Sequence, residues 1–299
     1  MNKFYLIVLL IGFLSACIEE VDLDVEATPH ELVINCFFTE DQPFEVNVSR
    51  LAPYPDIADR NLENATVSIY ENELLKGTLK HTENGIYTNK SILPVHGNKY
   101  SIKVEVTGYP TGTASDILPQ KIPIDEYLYK PKDGKNFEGT YYSEVAVKIM
   151  DKPGESFYII RVLGEFEKEV LDDNGIRKKE MYKSPIEIFT NDPTMLSEGI
   201  TQNDYKEFFV FNDALFENQQ HNASVRFNSY YSDDNNIQVF LESGTKNYYQ
   251  YHKRLLNHEH YPYQDPFKPY SPVPLFSNIK GGQGIFAGYQ RDIVRINTY

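Results

Sequence analysis

The most regular stretch of the chain is Lys99–Gly108, where Tyr100, Ile102, Val104 and Val106 alternate with Ser101, Lys103, Glu105 and Thr107. A period of two places the first set on one face and the second on the other, which predicts a half-buried β-strand. Similar runs between turn residues predict strands over Glu31–Thr39, Pro43–Leu51, Ala65–Asn72, Leu74–Thr82, Gly85–Lys90 and Gly112–Leu118. Asn84-Gly85 and Gly97-Asn98 supply hairpin signals. Seven strands in about 90 residues match an Ig-like or fibronectin-like β-sandwich over residues 31–120. The chain has no Trp, so the Cys–Trp–Cys core of antibody domains is absent.

Residues 121–139 contain Pro123, Pro131 and Gly134 and read as a linker or crossover. Further strands are predicted over Tyr141–Met150, Ser156–Leu171, Ile176–Thr190, Lys206–Asn212, Ser224–Tyr231, Ile237–Glu242, Gly284–Tyr289 and Asp292–Asn297. Asp172-Asp173-Asn174-Gly175 and Ser232–Asn236 serve as hairpin loops, and neither has the ligand spacing of a calcium loop. One helix is predicted near 244–258, with Tyr248, Tyr251, His252, Leu255 and Glu259 on one face and Lys253 and Arg254 in its second half. Its expected role is to cover a sheet edge or an open end of the second domain. The fold class is therefore all-β: two sandwich-like domains, 31–120 and 121–299, the second carrying one short helix.

The N-terminus has a different pattern. Lys3 precedes the apolar run Phe4–Leu14, and eleven residues at about 1.5 Å each fall short of a hydrocarbon core of about 30 Å. That makes residues 1–16 a signal peptide. Leu14-Ser15-Ala16-Cys17 then looks like a lipobox, which makes Cys17 the lipid-attachment residue and a membrane anchor the expectation. Residues 17–30, with five acids and no base between Ile18 and Glu26, read as an acidic tether, as a sorting tag resembling the export signal of surface-exposed lipoproteins, or, from the alternation of Val21, Leu23 and Val25, as a short edge strand. Cys36 is the only other cysteine; it has no partner for a disulfide and sits in a strand-like run, where a thiol acts as a small apolar side chain.

Composition narrows the functional classes. Lys and Arg total 29 against 43 Asp and Glu, a formal charge of -14, which disfavours nucleic-acid binding. Gly282-Gln283-Gly284-Ile285-Phe286-Ala287 satisfies a dinucleotide fingerprint in letters only, since strand-like residues follow where a helix is needed. A glycine-rich turn into the last strands is the better reading. His252, His258 and His260 lack the i, i+4 spacing of helical metal ligands, and no nucleophile elbow occurs, so no catalytic residue, cofactor or metal is assigned. From Tyr261 to Phe276 five prolines enforce an extended backbone rich in aromatics. The tyrosines and phenylalanine at Tyr248, Tyr251, Tyr261, Tyr263, Phe267 and Tyr270 are the candidate ligand or partner surface. A deep pocket lined by Tyr248, Tyr251 and Tyr263 points to a ligand, a flat aromatic face to a partner.

Several segments together resemble a family of Bacteroidota outer-membrane lipoproteins known as DUF4249, a domain of unknown function. They are the lipobox with its acidic tether, Phe211-Asn212-Asp213-Ala214-Leu215-Phe216, Asp265-Pro266-Phe267, and Ser277-Asn278-Ile279-Lys280-Gly281-Gly282-Gln283-Gly284-Ile285-Phe286-Ala287-Gly288-Tyr289. Leu275-Phe276 stands where that family usually carries Val-Tyr. The resemblance implies an outer-membrane lipoprotein often encoded near TonB-dependent receptors and SusD-like proteins, and the acidic stretch after Cys17 adds the expectation that it faces the cell surface. It implies no activity and no site residues. The resulting expectation is a non-catalytic accessory or binding protein for a TonB-dependent transporter or a similar envelope partner. A nutrient-binding lipoprotein for glycans or peptides is the alternative, and a surface hydrolase with two carboxylates about 5–10 Å apart in a cleft is the third reading.

Overall fold

A computed structural model describes residues 31–52, 60–171, 175–233, 235–258 and 274–297. The strands are β1 (Leu32–Phe38), β2 (Glu45–Arg50), β3 (Thr66–Glu71), β4 (Leu74–His81), β5 (Ile86–Thr88), β6 (Lys99–Glu105), β7 (Gly112–Ile117), β8 (Glu126–Lys135), β9 (Tyr141–Met150) and β10 (Phe157–Leu171). They continue with β11 (Arg177–Ile186), β12 (Ile188–Phe189), β13 (Phe208–Asn212), β14 (Gln220–Asn228), β15 (Ile237–Gly244) and β16 (Gly282–Ile296). Pro193–Leu196 is a single helical turn, α1, and Lys246–His258 is the one longer helix among the described residues, α2. The chain is all-β with sandwich-like layers, as the alternation predicts.

Two sheets result. One runs β11-β10-β15-β16-β1-β2-β5-β4-β3-β6-β7, with β13 also paired to β10; the other is β12-β14-β9-β8. The inward positions of β1, β2, β3 and β6 make a first core: Leu32, Ile34, Cys36 and Phe38 against Phe44, Val46 and Val48, with Val67, Ile69, Ile102 and Val104. Cys36 is buried there, and burial pushes its thiol pKa up, so it behaves as an apolar side chain. The second core lies between the four-stranded sheet and the β10–β15–β16 region, where Val145, Val147, Val225 and Phe227 meet Tyr158, Ile160, Val162 and Leu241.

The last strand belongs to both. Its first half pairs in parallel with β1, from Leu32↔Gly282 to Phe38↔Gly288, and its second half pairs antiparallel with β15, from Gly244↔Tyr289 to Ile237↔Ile296. Ile279 and Phe286 join the first core while Ile296 joins the second. On its other side, the bridge Thr113↔Lys280 brings β7 against the entry to this strand. The glycines of the 281–288 segment are required by that squeeze. At Gly284 (φ +110°) a Cβ would collide with the Ile34 carbonyl, and at Gly288 with the Ile117 carbonyl. The fingerprint-like letters are thus a strand seam, and no helix follows them.

Three expectations are corrected. The 121–139 linker contains β8, an edge strand whose Pro131 is tolerated beside a register shift between Lys130 and Gly134. The two predicted terminal strands are one, because Gln290 and Arg291 continue the ladder opposite Ser243 and Glu242. The helix covers a sheet face and not an edge: Tyr248, Tyr249 and Leu256 pack on Ile159, Phe208, Val210, Ile285, Ala287 and Tyr289.

Candidate functional site

Helix α2 begins at Thr245, whose hydroxyl accepts from the Tyr248 amide (3.3 Å) and donates to Asp116 Oδ2 (2.5 Å). Asp116 also accepts from the Gly288 amide (3.3 Å), so one carboxylate of β7 fixes both the helix start and the last strand. Burial raises the Asp116 pKa. The buried side of the helix is Tyr248, Tyr249, His252 and Leu256, while Tyr251 and Leu255 are only half-buried. The predicted stripe is rotated by one position, because both Tyr248 and Tyr249 have carboxylates to reach beneath the helix.

The first of these is Glu242, which is fully buried. Its Oε2 accepts from the Tyr248 hydroxyl (2.7 Å) and Arg161 Nη2 (2.9 Å), and its Oε1 from Arg291 Nη2 (2.7 Å) and Nε (3.0 Å). Burial works to raise its pKa, but Arg161 and Arg291 outweigh that and hold it below the usual carboxylate range. The arginines are covered in turn by rings, Arg161 by Phe208 and Arg291 by Phe240 and Tyr289. The second carboxylate is Glu198, which accepts from Asn212 Nδ2 (2.8 Å), Lys253 Nζ (2.6 Å) and the Tyr249 hydroxyl (2.5 Å). His252 lies between rings, 4.3 Å from Tyr248 and 5.3 Å from Phe37, and its Nδ1 donates to the Tyr248 carbonyl (2.9 Å). Burial lowers its pKa to about 4, so it is neutral at pH 7.

Of the six aromatic residues expected at a ligand or partner surface, Tyr248 is core: it stacks on Tyr289 at 4.9 Å and its hydroxyl is spent on Glu242. Tyr251 is half-buried and meets Phe37 edge-on at 5.4 Å. Tyr261, Tyr263, Phe267 and Tyr270 lie outside the described residues, as do Cys17 and the acidic tether. The structure therefore brings only Tyr251 near an open surface. Phe37 keeps 38% of its area exposed there.

That surface is a trough of about 490 Å³ on the outer face of β1 and β2, lined by Asn35, Phe37, Thr39, Gln42, Glu45 and Asn47 among others. Asn35 and Asn47 are register partners. A second groove, about 480 Å³, runs along the other flank of α2 past Tyr249, Gln250, Lys253, Arg254 and Asn257 to Phe276. The sequence reading missed the trough, although a signal was present: Asn35 and Asn47 occupy outward strand positions, where Asn is disfavoured. It also missed Glu242, Arg161 and Arg291, which are far apart in sequence and carry no spacing signal.

Among solved structures, the fold is similar to a β-glucuronidase from glycoside hydrolase family 2 (12% identity, 86% of this chain and 22% of that one, TM-score 0.23). It is also similar to a putative membrane anchored protein from Corynebacterium diphtheriae (13%, 72% and 54%, TM-score 0.21) and to the collagen adhesin CNA from S. aureus (7%, 88% and 94%, TM-score 0.20). The chain spans about a fifth of the first of these and about half of the second. Similarity at that level carries no functional argument. No curated protein matches the sequence. One family model does, over residues 18–293, which takes in the first core, most of the second, helix α2 and the glycine seam. The chain belongs to that family, described as Domain of unknown function (DUF4249).

Proposed function

We propose that this chain is a non-catalytic outer-membrane lipoprotein, anchored through Cys17 and facing the cell surface, whose β-built body docks onto an envelope partner such as a TonB-dependent transporter. The anchor rests on Leu14-Ser15-Ala16-Cys17 and the short apolar run before it. The docking reading rests on one observation, the β10–β11 ribbon. Beyond Glu165, β10 pairs with β11 alone, so the two strands project past the sheet. On that ribbon Leu171, Ile176 and Met181 are 67%, 63% and 65% exposed, an apolar display at the tip of a projecting strand pair. Cross-strand ion pairs such as Lys179–Glu167 and Arg177–Glu169 brace it.

The non-catalytic reading is supported by the occupation of the buried acids. Glu242 and Glu198 are held as described; Asp192 is bound by Thr194, His221 and the Ser224 amide, Asp151 by Tyr158 and the Asn218 amide, and Glu144 by Lys130 and Arg226. The fold accounts for groups so engaged without calling on a substrate. The test is purification of tagged protein from its own membranes. A β-barrel transporter is expected to co-purify in near-stoichiometric amount and to be lost with Met181→Lys, a change on the exposed ribbon. Recovery of the protein without any barrel partner overturns the docking reading, and recovery of Cys17→Ser in the lipid-anchored fraction overturns the anchor.

A further inference from the structure

We infer that the trough on β1 and β2 is a binding site for a neutral pyranose, the end sugar of a glycan. This goes beyond the docking reading and uses a different face of the molecule, so a failed co-purification leaves it standing. The side chains in the trough are unusual for their position. Asn35 and Asn47 face each other across paired strands, on the sheet surface that α2 leaves uncovered. Asn is depleted in strands because it packs poorly on the pleat and competes for backbone hydrogen bonds. Asn35 has no side-chain partner among the described residues, and Asn47 has only a long 3.4 Å bond to the Asn84 carbonyl. Both carboxamides therefore point donor and acceptor groups into the trough, with Gln42 and Thr39 at its end and the Glu45 carboxylate on its side.

Phe37 supplies the complementary surface. Its ring is held by Tyr248 (5.2 Å), Tyr251 (5.4 Å) and His252 (5.3 Å), so a partly exposed aromatic wall is fixed in place before any ligand arrives. A pyranose has an apolar C–H face to lay on such a ring and a rim of hydroxyls that both donate and accept, matching carboxamides better than an ion would. The volume lies in the range of small-molecule sites, and Asn35, Phe37, Glu45 and Asn47 stand on β1 and β2, with Thr39 and Gln42 on the turn that joins them. Charge sets the class further. No Lys or Arg lines the trough, Glu45 does, and the chain carries -14 overall, so an acidic sugar is disfavoured against a neutral one.

Saturation-transfer NMR on the full mature chain tests this with methyl α-D-glucopyranoside, methyl β-D-galactopyranoside and N-acetylglucosamine, with glucuronate and the tripeptide Gly-Asn-Gly alongside. At least one neutral pyranose is expected to receive saturation at its ring protons, and glucuronate and the tripeptide much less. Asn35→Ala with Asn47→Ala, both on the solvent side of the sheet, is expected to weaken binding roughly tenfold to a hundredfold with unchanged circular dichroism. Phe37→Ala is the second variant, expected to remove saturation of the C–H face. No transfer to any neutral pyranose overturns the inference, as does equal binding by the double variant or stronger binding of glucuronate or the tripeptide.

Discussion

The two cores of this molecule are built from different materials. Among the described residues before 119, Ser68 is the only buried polar residue other than tyrosine. Beyond residue 120, Glu144, Asp151, Asp192, Glu198, Asp213, Glu242 and His252 are all buried. The first region is held chiefly by apolar burial, which is tolerant of detail and does not itself titrate. The second adds charges that stabilise only while every partner is present, because an unpartnered buried charge costs far more than a pair gains. Strand β16 runs through both, so the contrast can be probed from a shared element as well as from each side.

The largest effect is expected at that shared element. Gly284→Val puts a branched Cβ against the Ile34 carbonyl at a backbone angle L-residues rarely adopt. Strand β16 must then leave β1 or distort, at a cost of about 5 kcal/mol or more, comparable with the whole stability of many domains. Loss of soluble protein, or a melting transition far below that of the unmodified chain, is the expected result. A variant that melts normally shows that the two regions do not depend on the seam.

Next in size is Glu242→Leu, which leaves Arg161, Arg291 and the Tyr248 hydroxyl without their common acceptor. Removing one member of a buried ion cluster costs about 3–5 kcal/mol, whereas Ser68→Ala in the first core is expected to cost about 1 kcal/mol or less. Urea unfolding of both variants measures the difference. Equal destabilisation removes the distinction between the two cores.

The same distinction decides how much the sequence revealed. The seven strands of the first region follow from alternation because each has one inward face: the Lys99–Gly108 pattern becomes β6 with Tyr100, Ile102 and Val104 buried and Lys99, Ser101, Lys103 outward or intermediate. Alternation fails as a guide at Phe208-Phe209-Val210-Phe211, where Phe209 and Phe211 enter the second core and Phe208 and Val210 lie beneath α2. A strand covered on both faces reads as a plain apolar run. The rotated helix face has the same origin: Tyr249 looks outward on a helical wheel until Glu198, 51 residues away in sequence, is brought under it. Long-range polar pairings have no periodicity, so Glu242 among 43 acids was invisible. The trough was partly legible in Asn35 and Asn47, whose residue type conflicts with their strand.

Smaller than the loss of Glu242, and most specific to the second region, is its response to acid. The His252 pKa falls to about 4 in the fold against 6.5 when unfolded, because burial opposes its charge and Arg161 adds repulsion, with the Tyr248 carbonyl and Glu242 only partly compensating. A proton thus binds the unfolded chain more readily between those values, and stability falls as pH drops from 6.5 toward 4. Integrated to pH 5 the loss is about 2 kcal/mol relative to pH 7. Glu242 adds to the loss only lower down, since its depressed pKa makes its contribution disappear as pH falls through and below the usual carboxylate range. Asp116 and Asp213 work the other way, as burial raises their pKa and protonation favours the folded form. The other groups titrate alike in the native chain and in a His252 variant, so the difference between the two chains from pH 7 to pH 5 isolates the histidine. Urea unfolding at those two values should show the native chain losing about 2 kcal/mol more than His252→Phe, a ring substitution among the same aromatic neighbours. Hydrogen exchange should place the weakened amides in α2 and β15 and leave β2, β3 and β6 protected. If the substituted chain loses as much stability as the native one, or if the first core opens together with the helix, the buried charges do not separate the two regions as their composition implies.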